Sequence, residues 1–124
     1  MKLTQKEFDQ AVQRAIDHIP EEIREHLENV IITVLKQPSK QMLDELGLTP
    51  DDPPLGLYQG ASLMERSVFA PPLYPDTIFI FQEPLERMCD TPAELEREIE
   101  ITVVHEIAHF LGLDDDRLSE LGYE

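Results

Sequence analysis

Cysteine occurs once in the 124 residues, at Cys89. That single thiol excludes an intrachain disulfide framework and a cysteine-based zinc finger together. Basic residues are also scarce: 10 Lys and Arg stand against 26 Asp and Glu, for a formal net charge of -16 and a sequence pI near 4.4. A surface of that sign repels phosphate backbones and anionic headgroups, so nucleic-acid and membrane-surface binding are disfavoured. No apolar run approaches the roughly 20 residues of a membrane-spanning helix. The N-terminus, Met1-Lys2-Leu3-Thr4-Gln5, turns amphipathic at once and carries no signal-peptide apolar stretch. There is no internal repeat or low-complexity tract. The length admits one domain, residues 1–124, and the 41% apolar share suffices for one core. The expectation is a soluble protein of a reducing compartment, the cytoplasm.

What is present reads as an α+β chain, a small sheet covered by helices. Thr4 and Glu7 have capping-box spacing, and Phe8, Ala11, Val12, Ala15, Ile16 and Ile19 recur as one helical stripe that Pro20 closes. A short helix from about Glu21 to Leu27 leads to a β-branched strand, Val30 to Leu35. Gln37 to Pro54 reads as a loop or lid, with one helical turn over Met42 to Leu46 that Gly47 ends. Leu55 to Gln59 is a short strand. Ser67 to Pro75, with three prolines, is extended but unfit for a central strand. Thr77 to Phe81 is apolar enough to suggest burial on both faces. A long helix opens at Thr91-Pro92-Ala93-Glu94, which combines an N-cap, a proline at N1 and a capping-box glutamate. Glu94, Glu96, Glu98 and Glu100 load its first half, while Ile101 to Leu111 is mostly apolar and predicts a buried course. Gly112 ends it, and a short helix from about Asp115 to Leu121 completes the fold.

The buried helix contains His105-Glu106-Ile107-Ala108-His109, an H-E-x-x-H pattern. Residues i and i+4 share a helix face, so His105 and His109 can both reach one zinc ion. Glu106 is rotated about 100° from His105, misses the metal and is placed to act as general base on a zinc-activated water. Two imidazoles and a carboxylate among Val103, Val104, Ile107 and Ala108 would be costly to bury without a partner. The run continues through Gly112 to Asp114, Asp115 and Asp116, extending the pattern to H-E-x-x-H-x-x-G-x-x-D. Counting favours Asp115 as third ligand, with Asp114 and Asp116 as alternatives, because catalytic zinc sites use three protein ligands and an open position. The same acidic turn also suits the N-cap of the last helix, with Asp114 or Asp115 in that role.

On these residues the chain resembles the small bacterial zincin-like metallopeptidases, a family once known only as a domain of unknown function. The likeness runs from Ile19-Pro20 and Asn29-Val30 through Leu55-Gly56-Leu57-Tyr58-Gln59-Gly60, Arg66 and Asp76 to Phe81. It is most specific over His105 to Asp115, then continues over Leu118 to Gly122. The resemblance implies a minimal zincin fold, one zinc on His105, His109 and Asp115, and Glu106 as catalytic glutamate. Metzincins share the extended pattern but carry a methionine turn downstream. Here Met1, Met42, Met64 and Met88 all lie upstream, so a wide or partner-completed site is expected.

The leading expectation is therefore a zinc metallopeptidase acting on peptide or protein substrates, with the Thr77–Phe81 strand pairing with an extended substrate if an edge is free. The alternatives are a catalytically weak or inactive zincin-like binding module that needs a protein partner, and a structural zinc protein with a closed four-ligand shell. Tyr58, Tyr74 and Tyr123 are candidate oxyanion donors, more often core or surface aromatics. Arg66 either orients a substrate carboxylate or pairs with an acid. His18 and His26 read as solvated, and Cys89 as a small buried hydrophobe.

Overall fold

The computed structural model describes residues 2–60 and 76–123; of Asp115 it describes the backbone and not the side chain. Arg66, Tyr74 and the extended segment expected over residues 67–75 lie outside the described residues.

Helix α1, Gln5–His18, starts where the capping box puts it: the Thr4 side chain accepts from the Glu7 N–H at 3.1 Å, and the Glu7 carboxylate accepts from the Thr4 N–H at 2.9 Å. Its stripe of Phe8, Ala11, Val12 and Ala15 is buried. Helix α2, Glu21–Arg24, passes into a 3-10 turn at Glu25–Leu27. Strand β1, Val30–Leu35, and helix α3, Lys40–Leu46, follow; Ser39 caps α3 and Gly47 ends it.

Strands β2, Gly56–Gln59, and β3, Asp76–Phe81, complete a mixed sheet of order β1-β3-β2. Strand β1 runs parallel to β3 and β2 antiparallel to it. Both edges of β3 are thus occupied, so the expectation that Thr77–Phe81 pairs with an extended substrate fails. Nor is β3 buried evenly on both faces: Ile78 and Ile80 are fully buried on the helix side, whereas Thr77 and Phe79 opposite are half-buried.

Helix α4, Gln82–Met88, leaves β3 without a loop and has no sequence signal of its own. Pro84 falls in its first turn, where a missing N–H costs little because that donor has no intrahelical partner. Its buried Gln82 and Glu86 hold the N-terminal segment: the Leu3 N–H donates to Glu86 Oε2 at 2.8 Å, and Gln82 Nε2 donates to the Leu3 carbonyl at 3.1 Å.

Helix α5, Pro92–Leu111, is capped by Thr91 as expected and packs against α1, β2 and β3. Leu95, Ile99, Val103 and Ile107, at spacings of four, make a stripe at most 1% exposed. Helix α6 spans Asp115–Glu120. No described helix is long and apolar enough to cross a membrane.

Glu100 is set apart from the other acids in the first half of α5. It is 3% exposed. It accepts from Tyr123 Oη at 2.5 Å and from Arg97 Nη1 at 3.2 Å, and lies 2.7 Å from His18 Nδ1. Arg97 also sits over the Tyr123 ring, 5.2 Å from its centroid, and donates to the Gly122 carbonyl at 2.8 Å. His18 is thus exposed yet paired rather than simply solvated, while His26 is exposed as expected. Cys89 is buried.

A charge-assisted hydrogen bond is worth about 1.5–3 kcal/mol when buried, and an exposed ion pair up to about 1 kcal/mol. Tyr123→Phe should therefore lower unfolding stability in urea by about 1.5–3 kcal/mol. Arg14→Ala, which removes the solvent-facing Arg14–Glu96 pair, should cost less than about 1 kcal/mol. Equal losses in the two variants would contradict the assignment of Tyr123 to the core.

Candidate active site

The last two turns of α5 emerge from the core. Thr102, Val103, Val104, Ile107 and Ala108 are buried, His105 and Glu106 are half-buried, and His109 and Phe110 are exposed. The burial cost expected from the sequence therefore falls on His105 and, in part, Glu106, but not on His109. The two histidine rings lie 6.3 Å apart, inclined at 65°. Glu106 Oε2 is 4.0 Å from His109 Nδ1.

His105 Nε2 is buried and has no hydrogen-bond partner among the described residues. Buried polar atoms in native structures are nearly always satisfied, so such an orphan calls for an explanation. A metal ion fits it: a neutral imidazole nitrogen presents one lone pair, and a second histidine stands one turn along the same helix. Among the described residues no group of three His, Cys, Asp or Glu side chains is placed to hold a metal. A third ligand from Asp115 would come from a side chain outside the described residues.

The helix ending matches its sequence. Gly112 adopts a left-handed conformation at φ 74°. The Leu113 N–H then donates to the Ala108 carbonyl at 3.0 Å and the Gly112 N–H to the His109 carbonyl at 3.2 Å, closing a Schellman motif. The next acid is already used: Asp114 Oδ1 accepts from the Arg117 N–H at 2.8 Å and caps α6. Asp114 is thus the cap, Asp115 opens the helix, and Asp116 is exposed.

Strand β2 covers the same face of α5. A Cβ built on Gly56 would lie 2.6 Å from Thr102 Cγ2, 3.0 Å from the Phe79 carbonyl oxygen and 3.8 Å from Glu106 Cγ. Only glycine allows this approach. Two residues on, the Tyr58 ring stacks on Phe110, with centroids 4.5 Å apart and planes 13° from parallel. Tyr58 Oη donates to Asp76 Oδ2 at 2.5 Å, and burial together with Asp76 pushes the phenol pKa up.

Burial also pushes the Glu106 carboxyl up, while His109 and the backbone amide of Tyr58 pull it partly back. Two proposed oxyanion donors are therefore otherwise engaged: Tyr58 is tied to Asp76, and Tyr123 folds back onto Glu100. The Tyr123 pKa is raised as well, chiefly by burial and by Glu100.

The zincin-like metallopeptidase family matches the chain over residues 27–123. The chain belongs to that family. No curated protein matches it. Among solved structures, a conserved hypothetical protein from Thermo thermophilus shares the fold at a TM-score of 0.56 and 18% identity, over 88% of this chain and 94% of that one. In this zincin-like chain the close passage of β2 over Thr102 and Glu106 was not drawn from the sequence, although a glycine inside a strand is a known mark of such an approach. The Tyr58–Phe110 stack carries no linear signal, because its partners are 52 residues apart.

Gly56→Ala should push β2 off α5 and cost about 1–3 kcal/mol, the usual range for overpacking. Adding Thr102→Ser removes the 2.6 Å methyl contact and should recover part of that loss in thermal unfolding. Wild-type stability in Gly56→Ala would refute the close contact.

Proposed function

We propose that the chain is a zinc-dependent peptidase in which His105, His109 and Asp115 hold one zinc ion and Glu106 is the general base. The observation that carries this reading is the buried His105 Nε2, unpartnered among the described residues, next to a half-buried carboxylate whose pKa is raised by burial. Family membership adds the expectation of peptide chemistry. A zinc ion on such a ligand set supplies Lewis acidity to a peptide carbonyl and to water.

The chain's own residues handle the proton. Glu106 takes one from the attacking water as the oxygen bonds to the carbonyl carbon. It returns that proton to the amide nitrogen as the C–N bond breaks, so that water adds across the peptide bond. A carboxyl raised by burial suits both duties, since it takes up a proton more readily than an exposed one and still gives it to the leaving nitrogen.

The substrate backbone would run along β2 rather than β3. Phe81 N–H donates to the Leu55 carbonyl at 3.0 Å, and antiparallel pairs alternate between bonded and non-bonded. Leu57 and Gln59 therefore face β3, whereas the backbone groups of Gly56 and Tyr58 point outward. Among the described residues no strand takes that outer edge. An extended peptide laid there passes beside Glu106 and gains main-chain hydrogen bonds with Gly56 and the Tyr58 carbonyl, the Tyr58 N–H being engaged with Glu106. The net charge of -16 favours peptides that carry basic residues.

Metal content by mass spectrometry, on untagged protein purified without added metal, tests the ligand set. Wild type should carry about one zinc per chain and Asp115→Ala clearly less. Glu106→Gln should retain the metal while losing peptide cleavage by about 100- to 10,000-fold. Zinc-free wild type that cannot be reconstituted would overturn the reading, and so would undiminished turnover in Glu106→Gln.

A further inference from the structure

Phe110 is the most exposed large apolar side chain among the described residues, at 57%. It is not a loose surface residue. One ring face is stacked on Tyr58, and Tyr58 is fixed in turn by its hydroxyl bond to Asp76 on β3. The outer part of the Phe110 ring thus faces solvent while its inner face rests on a tethered partner.

Its position relates it to the proposed chemistry. Thr102, Glu106 and Phe110 recur every fourth residue and share one face of α5. Gly56 of β2 lies against the first two of these and Tyr58 against the third. The aromatic pair thus stands one helical turn, about 6 Å of axial rise, beyond Glu106. It is also one residue past His109. On an extended peptide, side chains of one face repeat every ~6.6–6.8 Å. A peptide on the outer edge of β2 with a carbonyl at Glu106 therefore carries a nearby side chain onto the Tyr58–Phe110 shelf.

We propose that Tyr58 and Phe110 form a substrate side-chain subsite that selects a large apolar residue, aromatic or long aliphatic, beside the bond presented to Glu106. This rests on the peptidase reading and specifies its substrate class. A flat ring face offers an apolar side chain stacking and area burial. The strongly negative chain disfavours an acidic side chain at that place. Phe110 is a specificity-determining residue in this arrangement, with no part in proton transfer.

The test uses the full-length zinc-loaded protein and a set of quenched fluorescent peptides that vary one position at a time among Phe, Leu, Ala, Lys and Glu. Wild type should prefer Phe or Leu over Ala at one position flanking the cleaved bond. Phe110→Ala should reduce the kcat/KM ratio of the Phe peptide to the Ala peptide by about 10- to 100-fold, as loss of an apolar pocket contact does. Phe110→Tyr, which retains the stacked ring, should keep the preference.

A second readout does not require turnover: fluorescence polarisation of the same peptides on Glu106→Gln, with and without Phe110→Ala. Selective binding of the Phe peptide that Phe110→Ala abolishes would support the subsite even if wild type cleaves nothing, in which case only the peptidase reading fails. Cleavage or binding with no apolar preference would overturn the subsite, as would a preference that survives Phe110→Ala or the absence of both cleavage and selective binding.

Discussion

The structure depends on α5 serving two environments at once. Leu95, Ile99, Val103 and Ile107 bury one stripe completely, each contributing about 1.5–3 kcal/mol of transfer free energy. That burial fixes the rotation of the helix about its axis. Once the rotation is set, Thr102, Glu106 and Phe110 must meet β2, and His105 and His109 must lie beside them. The chemistry-bearing side chains are placed by core packing rather than by bonds among themselves, and no described side chain bonds to His105 Nε2. A helix anchored along more than three turns is a stiffer platform for the half-buried Glu106 carboxylate than a loop would be.

The sheet supplies the complementary surface. Because β3 is held between β1 and β2, the strand β2 that packs on α5 is an edge strand among the described residues. Gly56 removes the one side chain that would prevent it from lying close. The contact brings the Phe79 carbonyl, Thr102 and the half-buried Glu106 within a few ångströms of one backbone position. The Tyr58–Phe110 stack closes the same interface at its outer end.

The far end of the chain is secured by a different interaction. Tyr123, Arg97 and His18 converge on the buried Glu100, joining the C-terminal segment to α1 and α5. The Tyr123 N–H also donates to the Leu118 carbonyl at 2.8 Å, and Leu118 is buried. Helix α6 is thus held from behind by this cluster and from the front by the Gly112 turn and the Asp114 cap. Its first residue, Asp115, is kept at the end of α5 by constraints from both directions.

Local chemistry made much of this legible in the sequence. The Thr4–Glu7 box, Thr91-Pro92-Ala93-Glu94, the stop at Gly112 and the β-branched run at Val30–Leu35 act over a few residues, so their signals survive in one dimension. The same holds for the H-E-x-x-H spacing, since helical periodicity alone puts His105 and His109 on one face. Tertiary structure alone decided what depends on distant partners. Glu100 reads as one more acid on a charged helix until Tyr123, 23 residues later, and His18, 82 residues earlier, surround it. Helix α4 has no cap signal because it continues straight from β3, and β3 could not be seen to be central until its neighbours were paired on both edges. The meeting of Gly56 with Thr102 and of Tyr58 with Phe110 follows from where burial of the α5 stripe turns the helix, a sum over many contacts that no short stretch of sequence contains.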